Sequence, residues 1–178
     1  MSEPLAMVDA AVIVLHLLNR GSMMAKTVFY SFHYERDVHR VQLVRNIDAL
    51  EGQPLLNSQD WESVRSRGDQ AIMNWIDDQM RYKRAVVVLI GQQTASRPWV
   101  TYEIQKAWND RKPLLGVQIH GLSSMGSVDR AGPDPFEAAG LRSAGIPVFD
   151  PTRTDSQATY AALRLNLATW SDRGVKRP

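Results

Sequence analysis

Residues 85–90 read AVVVLI, six apolar side chains in succession without a polar interruption. A strand with one wet face alternates apolar and polar residues, whereas an unbroken run implies burial on both faces, as in a parallel sheet. The surroundings extend that reading. Before the run, Ile72, Ile76 and Met80 recur at helical spacing behind Asp69, a residue suited to cap a helix, and Arg84 closes the segment. After it, Ser96 as cap and Pro98 in the first turn open a helix running to about Asp110, followed by an apolar strand over 114–119. Further upstream, KTVFYSF at 26–32 is β-branched and aromatic, and Val38, Val41 and Val44, widened by Leu43 and Ile47, mark a helix after it. Residues 51–68 read as a long polar loop, with at most a short strand around Leu55 and Leu56. The segment 120–147 is loop-like in its Gly, Ser, Pro and Asp, and 147–149 suits a short edge strand. A last helix is expected over 157–170, and 171–178 reads as a frayed basic tail. Strands alternating with helices predict an open α/β sheet of four to five parallel strands, covered on both faces, with its ligand beyond the carboxyl ends of the strands.

The chain of 178 residues suits one domain over 25–170, with an extension over 1–24 and the tail. Apolar residues at 44% and charged residues at 22% match an ordinary globular protein and argue against disorder. Lys and Arg exceed Asp and Glu by 21 − 19 = 2, and the signs are interleaved, so a nucleic-acid partner is not expected. The absence of cysteine excludes disulfides, thiolate metal sites and a Cys nucleophile together. The apolar run at 5–18 is broken by Asp9 and His16 and is short for a bilayer, and Ser2 and Glu3 do not suit a signal peptide. It reads as a helix against the domain or a partner, and Gly21-Ser22-Met23-Met24 as a junction or a later start. A cytoplasmic protein without membrane contact is expected. No internal repeat or low-complexity tract is visible.

Several signatures of chemistry are absent: no Walker loop, no GxGxxG after the first strand, no GxSxG elbow. His16, His33, His39 and His120 lie on separate segments without metal-ligand spacing, and no metal is expected. Two segments remain, both at carboxyl ends of strands: 31–34 (SFHY) and 96–103 (SRPWVTYE). On the second, Val100, Ile104, Ala107 and Trp108 form the core face of a helix, while Trp99, Tyr102, Glu103 and Lys106 flank it. Helix geometry alone reads Glu103 as a surface partner of Lys106.

Four pieces in order alter that reading: KTVFYSFHYERD at 26–37, AVVVLIG at 85–91, SRPWVTYEIQKAW at 96–108 and PLLGVQIHGL at 113–122. Together they resemble the bacterial TIR-like domains of Thoeris anti-phage defence systems, over about 26–122. Tyr30-Ser31-Phe32 corresponds to the family's strand end, and Ser96, Trp99 and Glu103 to its helix start. Phe32 departs from the more usual Tyr, and Val100 stands where many such domains have Cys. The resemblance implies a flavodoxin-like fold and an enzyme that breaks the nicotinamide–ribose bond of NAD, with Glu103 catalytic. A cationic pyridinium leaves without needing a proton, so one carboxylate suffices to stabilise the oxocarbenium-like centre, unlike ordinary glycoside hydrolysis. Trp99 and Phe32 would wall a flat ring, and Ser31 and His33 would offer polar contacts. Arg36 is a candidate for the pyrophosphate at the first helix's N-terminus. NAD would be substrate, with no bound cofactor, and the product a linear, cyclic or conjugated ADP-ribose sensed by an effector. Self-assembly on activation is expected. A non-catalytic TIR adaptor and a nucleoside deoxyribosyltransferase-like enzyme are the competing readings.

Overall fold

The computed structural model describes residues 25–178; the expectations for the segments at 5–18 and 21–24 lie outside the described residues. Five strands form one all-parallel sheet: β1 (Lys26–Ser31), β2 (Leu50–Glu51), β3 (Ala85–Ile90), β4 (Leu114–Gln118) and β5 (Val148–Phe149), in the order β2-β1-β3-β4-β5. This is the flavodoxin-like order, and its switch point lies between β1 and β3. Ser31 pairs in register with Val88, so the end of β1 lies beside the interior of the sheet's central strand.

Side-chain alternation along β3 sends Ala85, Val87 and Leu89 to one core and Val86, Val88 and Ile90 to the other. All six are buried, as the unbroken run requires. The first core is closed by α1 (Tyr34–Arg45), through Val41 and Val44, and by α6 (Ser156–Ser171), through Leu163 and Leu167. The second is closed by α2 (Ser58–Arg65), α3 (Asp69–Met80), α4 (Pro98–Asn109) and α5 (Pro135–Ala138). Ile72, Ile76 and Met80 of α3 and Val100, Ile104 and Ala107 of α4 are its helical anchors.

Several local expectations are corrected. The stretch 51–68 holds β2 at its start and α2 within it, so it is not a long loop. Helix α2 is capped by Asn57, whose side chain accepts from the Asp60 amide at 2.8 Å, and it buries only Val64, too little apolar surface to leave a visible stripe. Asp69 is the first residue of α3 rather than its cap; Gly68, at φ 88, stands in that place, in the left-handed region that favours glycine. Ser96 ends a short 3-10 turn (Thr94–Ser96), and Arg97 precedes Pro98 at the start of α4. The segment 120–147 contains a tight hairpin at Ser124–Ser127, α5 and a second 3-10 turn (Arg142–Ala144). The tail is not frayed: Val175 exchanges both backbone hydrogen bonds with Leu114, at 2.8 and 2.9 Å, adding an antiparallel bridge to β4.

Behind the sheet's carboxyl edge lies a buried charge network that patterning does not reveal. Arg40, 3% exposed, donates to Asp37 at 3.0 Å and to the Leu122 carbonyl at 2.8 Å, and its Nη1 lies 3.1 Å from Asp129. Asp37 is fully buried, and a Cβ on Gly91 would fall 2.2 Å from its carboxyl oxygen, so glycine is required where the turn after β3 crosses α1. Burying charge is costly unless it is paired, and here one arginine fastens α1 to the loop following β4.

Candidate active site

Glu103 lies on the second turn of α4, the helix that follows the central strand, and is only 9% exposed. Ser31, at the end of β1, points to the same side of the sheet as Phe29, toward α4. Its hydroxyl donates to Glu103 Oε2 at 2.5 Å. Burial pushes the Glu103 carboxyl up to about 8, and the Ser31 hydrogen bond opposes that rise. Lys106, the expected partner, is engaged instead by Asp110 at 2.8 Å and Asp77 at 3.7 Å. Glu103 therefore faces inward as an isolated acid, not outward as half of a surface ion pair.

A pocket opens over this carboxyl, lined by Phe32, His33, Tyr34, Trp61, Arg97 and Trp99 among others. Its aromatic wall is a ladder: Phe32 to Tyr34 at 6.1 Å, Tyr34 to Trp61 at 6.2 Å, and Trp61 edge-on to Trp75 at 6.1 Å between ring centroids. Trp61 and Trp75 were not among the residues singled out by sequence, and Tyr34 stood there only as the end of the 31–34 segment, with no role given to it. The signal was present only as aromatics scattered over three segments that the fold brings together. The wall is held by Gln53, whose side-chain amide accepts from the Tyr30 amide at 2.8 Å and donates to the Tyr30 carbonyl at 2.7 Å. The side chain thereby extends the β1 ladder and anchors Pro54, Leu55 and Leu56 against the pocket. Tyr34 fastens the same segment by donating its hydroxyl to the Leu56 carbonyl at 2.5 Å.

Of the residues nominated from sequence, Ser31, Phe32, His33, Trp99 and Glu103 converge here: Ser31 through its bond to Glu103, the others as pocket lining. Arg36 does not. It donates to Asp129 at 3.0 and 3.2 Å and to Gln92 at 2.9 Å, as part of the buried network's rim, and does not line the pocket. Neighbouring residues of the first turn of α1 divide between the two, Tyr34 and Glu35 lining the pocket and Arg36 turning to the network, a difference in facing that spacing from the strand cannot express. His39 is exposed and His120 lies in the loop after β4. Among the described residues, no three His, Asp or Glu side chains are grouped to hold a metal ion.

His33 is 8% exposed, and among the described residues neither ring nitrogen has a hydrogen-bond partner; the Glu35 carboxylate lies 3.9 Å from Nε2. Burial, then the nearby Arg97 charge, hold its pKa below the ordinary histidine value, so the ring is neutral at physiological pH.

A doubly wound α/β domain with one serine-held, buried glutamate under an aromatic pocket at the switch point is the architecture of a TIR-like domain. The family model for the TIR-like domain of Thoeris protein ThsB matches residues 29–124, which include both halves of this site. The chain belongs to that family. It is also 33% identical over 125 residues to a Bacillus cereus protein provisionally named cyclic ADP-D-ribose synthase ThsB1, covering 67% of this chain and 65% of that relative. The chain thus spans slightly under two thirds of the curated relative's length.

Proposed function

We propose that this chain breaks the nicotinamide–ribose bond of NAD and passes the ribosyl centre to a nucleophile of the same nucleotide, forming a cyclic ADP-ribose that serves as a defence signal. The observation that carries the reading is Glu103: a carboxyl buried without a cationic partner, at an aromatic pocket, costs stability that a structural role does not require. In the reaction the C1′–N1 bond breaks, and its electron pair goes to the pyridinium nitrogen, so nicotinamide leaves neutral without a proton donor. The cationic C1′ left behind is stabilised by ionised Glu103, whose orientation Ser31 sets. A cationic ring entering the pocket favours that ionised form, which the empty pocket disfavours.

Trp99 and Phe32 supply faces for the nicotinamide ring, and Tyr34 and Trp61 a second aromatic surface on which a purine can fold back toward C1′. Folding back favours ring closure; capture by water instead gives linear ADP-ribose. The name of the Bacillus cereus relative supports the cyclic product. By the same reading a separate effector senses the nucleotide, the chain self-assembles when activated, and no cofactor besides the NAD substrate takes part. Among the described residues no helix is long and apolar enough to cross a membrane. The test is nicotinamide release from NAD by the full chain, beside Glu103→Gln, with mass spectrometry of the nucleotide. Release by wild type alone supports the reading, and equal release by both proteins overturns it.

A further inference from the structure

With Arg36 committed elsewhere, the phosphates of a dinucleotide need another seat. We propose that Arg97 and His33 form an anion seat at the start of α4 that takes the phosphate adjoining the reacting ribose, so that the pocket selects phosphorylated nicotinamide ribosides over the bare nucleoside. This rests on the NAD-cleaving reading and deepens it by assigning a specificity-determining pair.

The pocket is electrically polar. Glu103 forms its buried acidic pole, Arg97 and Arg65 are the arginines on its lining, and Glu35, a mostly exposed carboxylate, lies on its rim 3.9 Å from His33 Nε2. Arg65 already has Glu35 at 3.6 Å. Arg97 has no carboxylate within salt-bridge distance among the described residues. Its Nη2 donates to Gln93 at 3.0 Å, which orients the guanidinium, while its Nε is buried and has no partner among the described residues. His33 beside it is more than nine-tenths buried and lines the same pocket, with neither ring nitrogen hydrogen-bonded among the described residues. Buried polar atoms without partners are rare and each costs about 1–3 kcal/mol, and two of them here, the Arg97 Nε–H and the single N–H of neutral His33, are donors that an acceptor ligand satisfies. The α4 N-terminus adds free backbone amides at Trp99 and Val100, and Pro98 at the first helical position has no amide to lose. An oxyanion accepts from the guanidinium Nε–H, from one imidazole N–H and from the helix N-terminus together. A ligand matching the whole pocket carries a cationic ring toward Glu103 and an anion toward Arg97.

The test uses the full chain and inorganic pyrophosphate, followed by calorimetry and by the ring ¹⁵N resonances of His33. Wild type is expected to bind pyrophosphate and shift both ring signals. Arg97→Gln should weaken binding by about tenfold or more, as loss of a charge-assisted bond implies, Arg97→Lys by less, while Arg164→Gln, at an exposed arginine of α6 outside the pocket, binds as wild type does. In turnover, wild type should favour NAD over nicotinamide riboside, and Arg97→Gln should lose most of that preference. Equal pyrophosphate affinity in wild type and Arg97→Gln, or unmoved His33 resonances, overturns the anion seat even if NAD is cleaved. Arg97-dependent pyrophosphate binding beside nicotinamide release that is equal in wild type and Glu103→Gln overturns the NAD-cleaving reading and leaves the seat standing.

Discussion

Glu103→Gln should make the protein more stable at neutral pH while abolishing nicotinamide release. Gln keeps the length of the side chain and an oxygen that accepts from Ser31, but it does not titrate. In the wild type the carboxyl moves from its ordinary 4.5 in the unfolded chain to about 8 in the fold, chiefly through burial. The fold therefore favours the protonated form. That stability is fully present below pH 4.5, and it is lost as pH rises toward 8, because the unfolded chain releases its proton first. At about 1.4 kcal/mol per pKa unit, the loss between pH 4 and pH 7 is about 3 kcal/mol. Urea unfolding of both proteins at a series of pH values, followed by tryptophan fluorescence, isolates this group, since every other titration cancels in the difference. The stability difference between variant and wild type should widen by about 3 kcal/mol from pH 4 to pH 7 and level off above pH 8. Parallel curves for the two proteins would refute the claim that Glu103 is held neutral by burial. A variant that becomes more stable with no loss of nicotinamide release would refute its catalytic place.

Because the ionised carboxylate is the competent form, kcat/KM for NAD should rise with pH up to about 8 and then flatten. Ser31→Ala removes the bond that opposes the upward shift, so its profile should move to higher pH; an unmoved profile would sever Ser31 from Glu103. Arg40→Ala strands the buried Asp37 carboxylate and should cost about 3–5 kcal/mol in denaturant unfolding, a loss that an exposed arginine would not show. Gly91→Ala places a methyl 2.2 Å from Asp37 and should destabilise the fold by about 1–3 kcal/mol, whereas Gly140→Ala, with open space around it, costs only the strain of its φ of 79.

Much of the site was legible because its two halves are local. Ser31, Phe32 and His33 end a strand, and Trp99 and Glu103 begin a helix, so each half is a short motif whose resemblance to the TIR-like family could be seen. The remainder was not, because its residues act through facing and not through spacing. Arg36 and Arg97 are both arginines at helix starts; only packing turns the first toward Asp129 and leaves the second on the pocket. Helix α2 escaped notice since it buries little beyond Val64, yet it carries Trp61 into the aromatic wall. The tail looked polar and loose, but its backbone, which carries no sequence signature, pairs with β4.

From sequence alone, the unbroken AVVVLI run and the helical stripes around it determine a parallel sheet covered on both faces, because apolar area must be removed from water on each side. The same local patterning places a serine and a glutamate at the sheet's carboxyl edge. Tertiary structure alone decides that these two touch, that Glu103 is dry enough to hold its proton near neutrality, and that Lys106 is drawn away to Asp110. A pKa and a hydrogen bond depend on what surrounds a group in space, and residues 72 positions apart become neighbours only when the sheet closes between them.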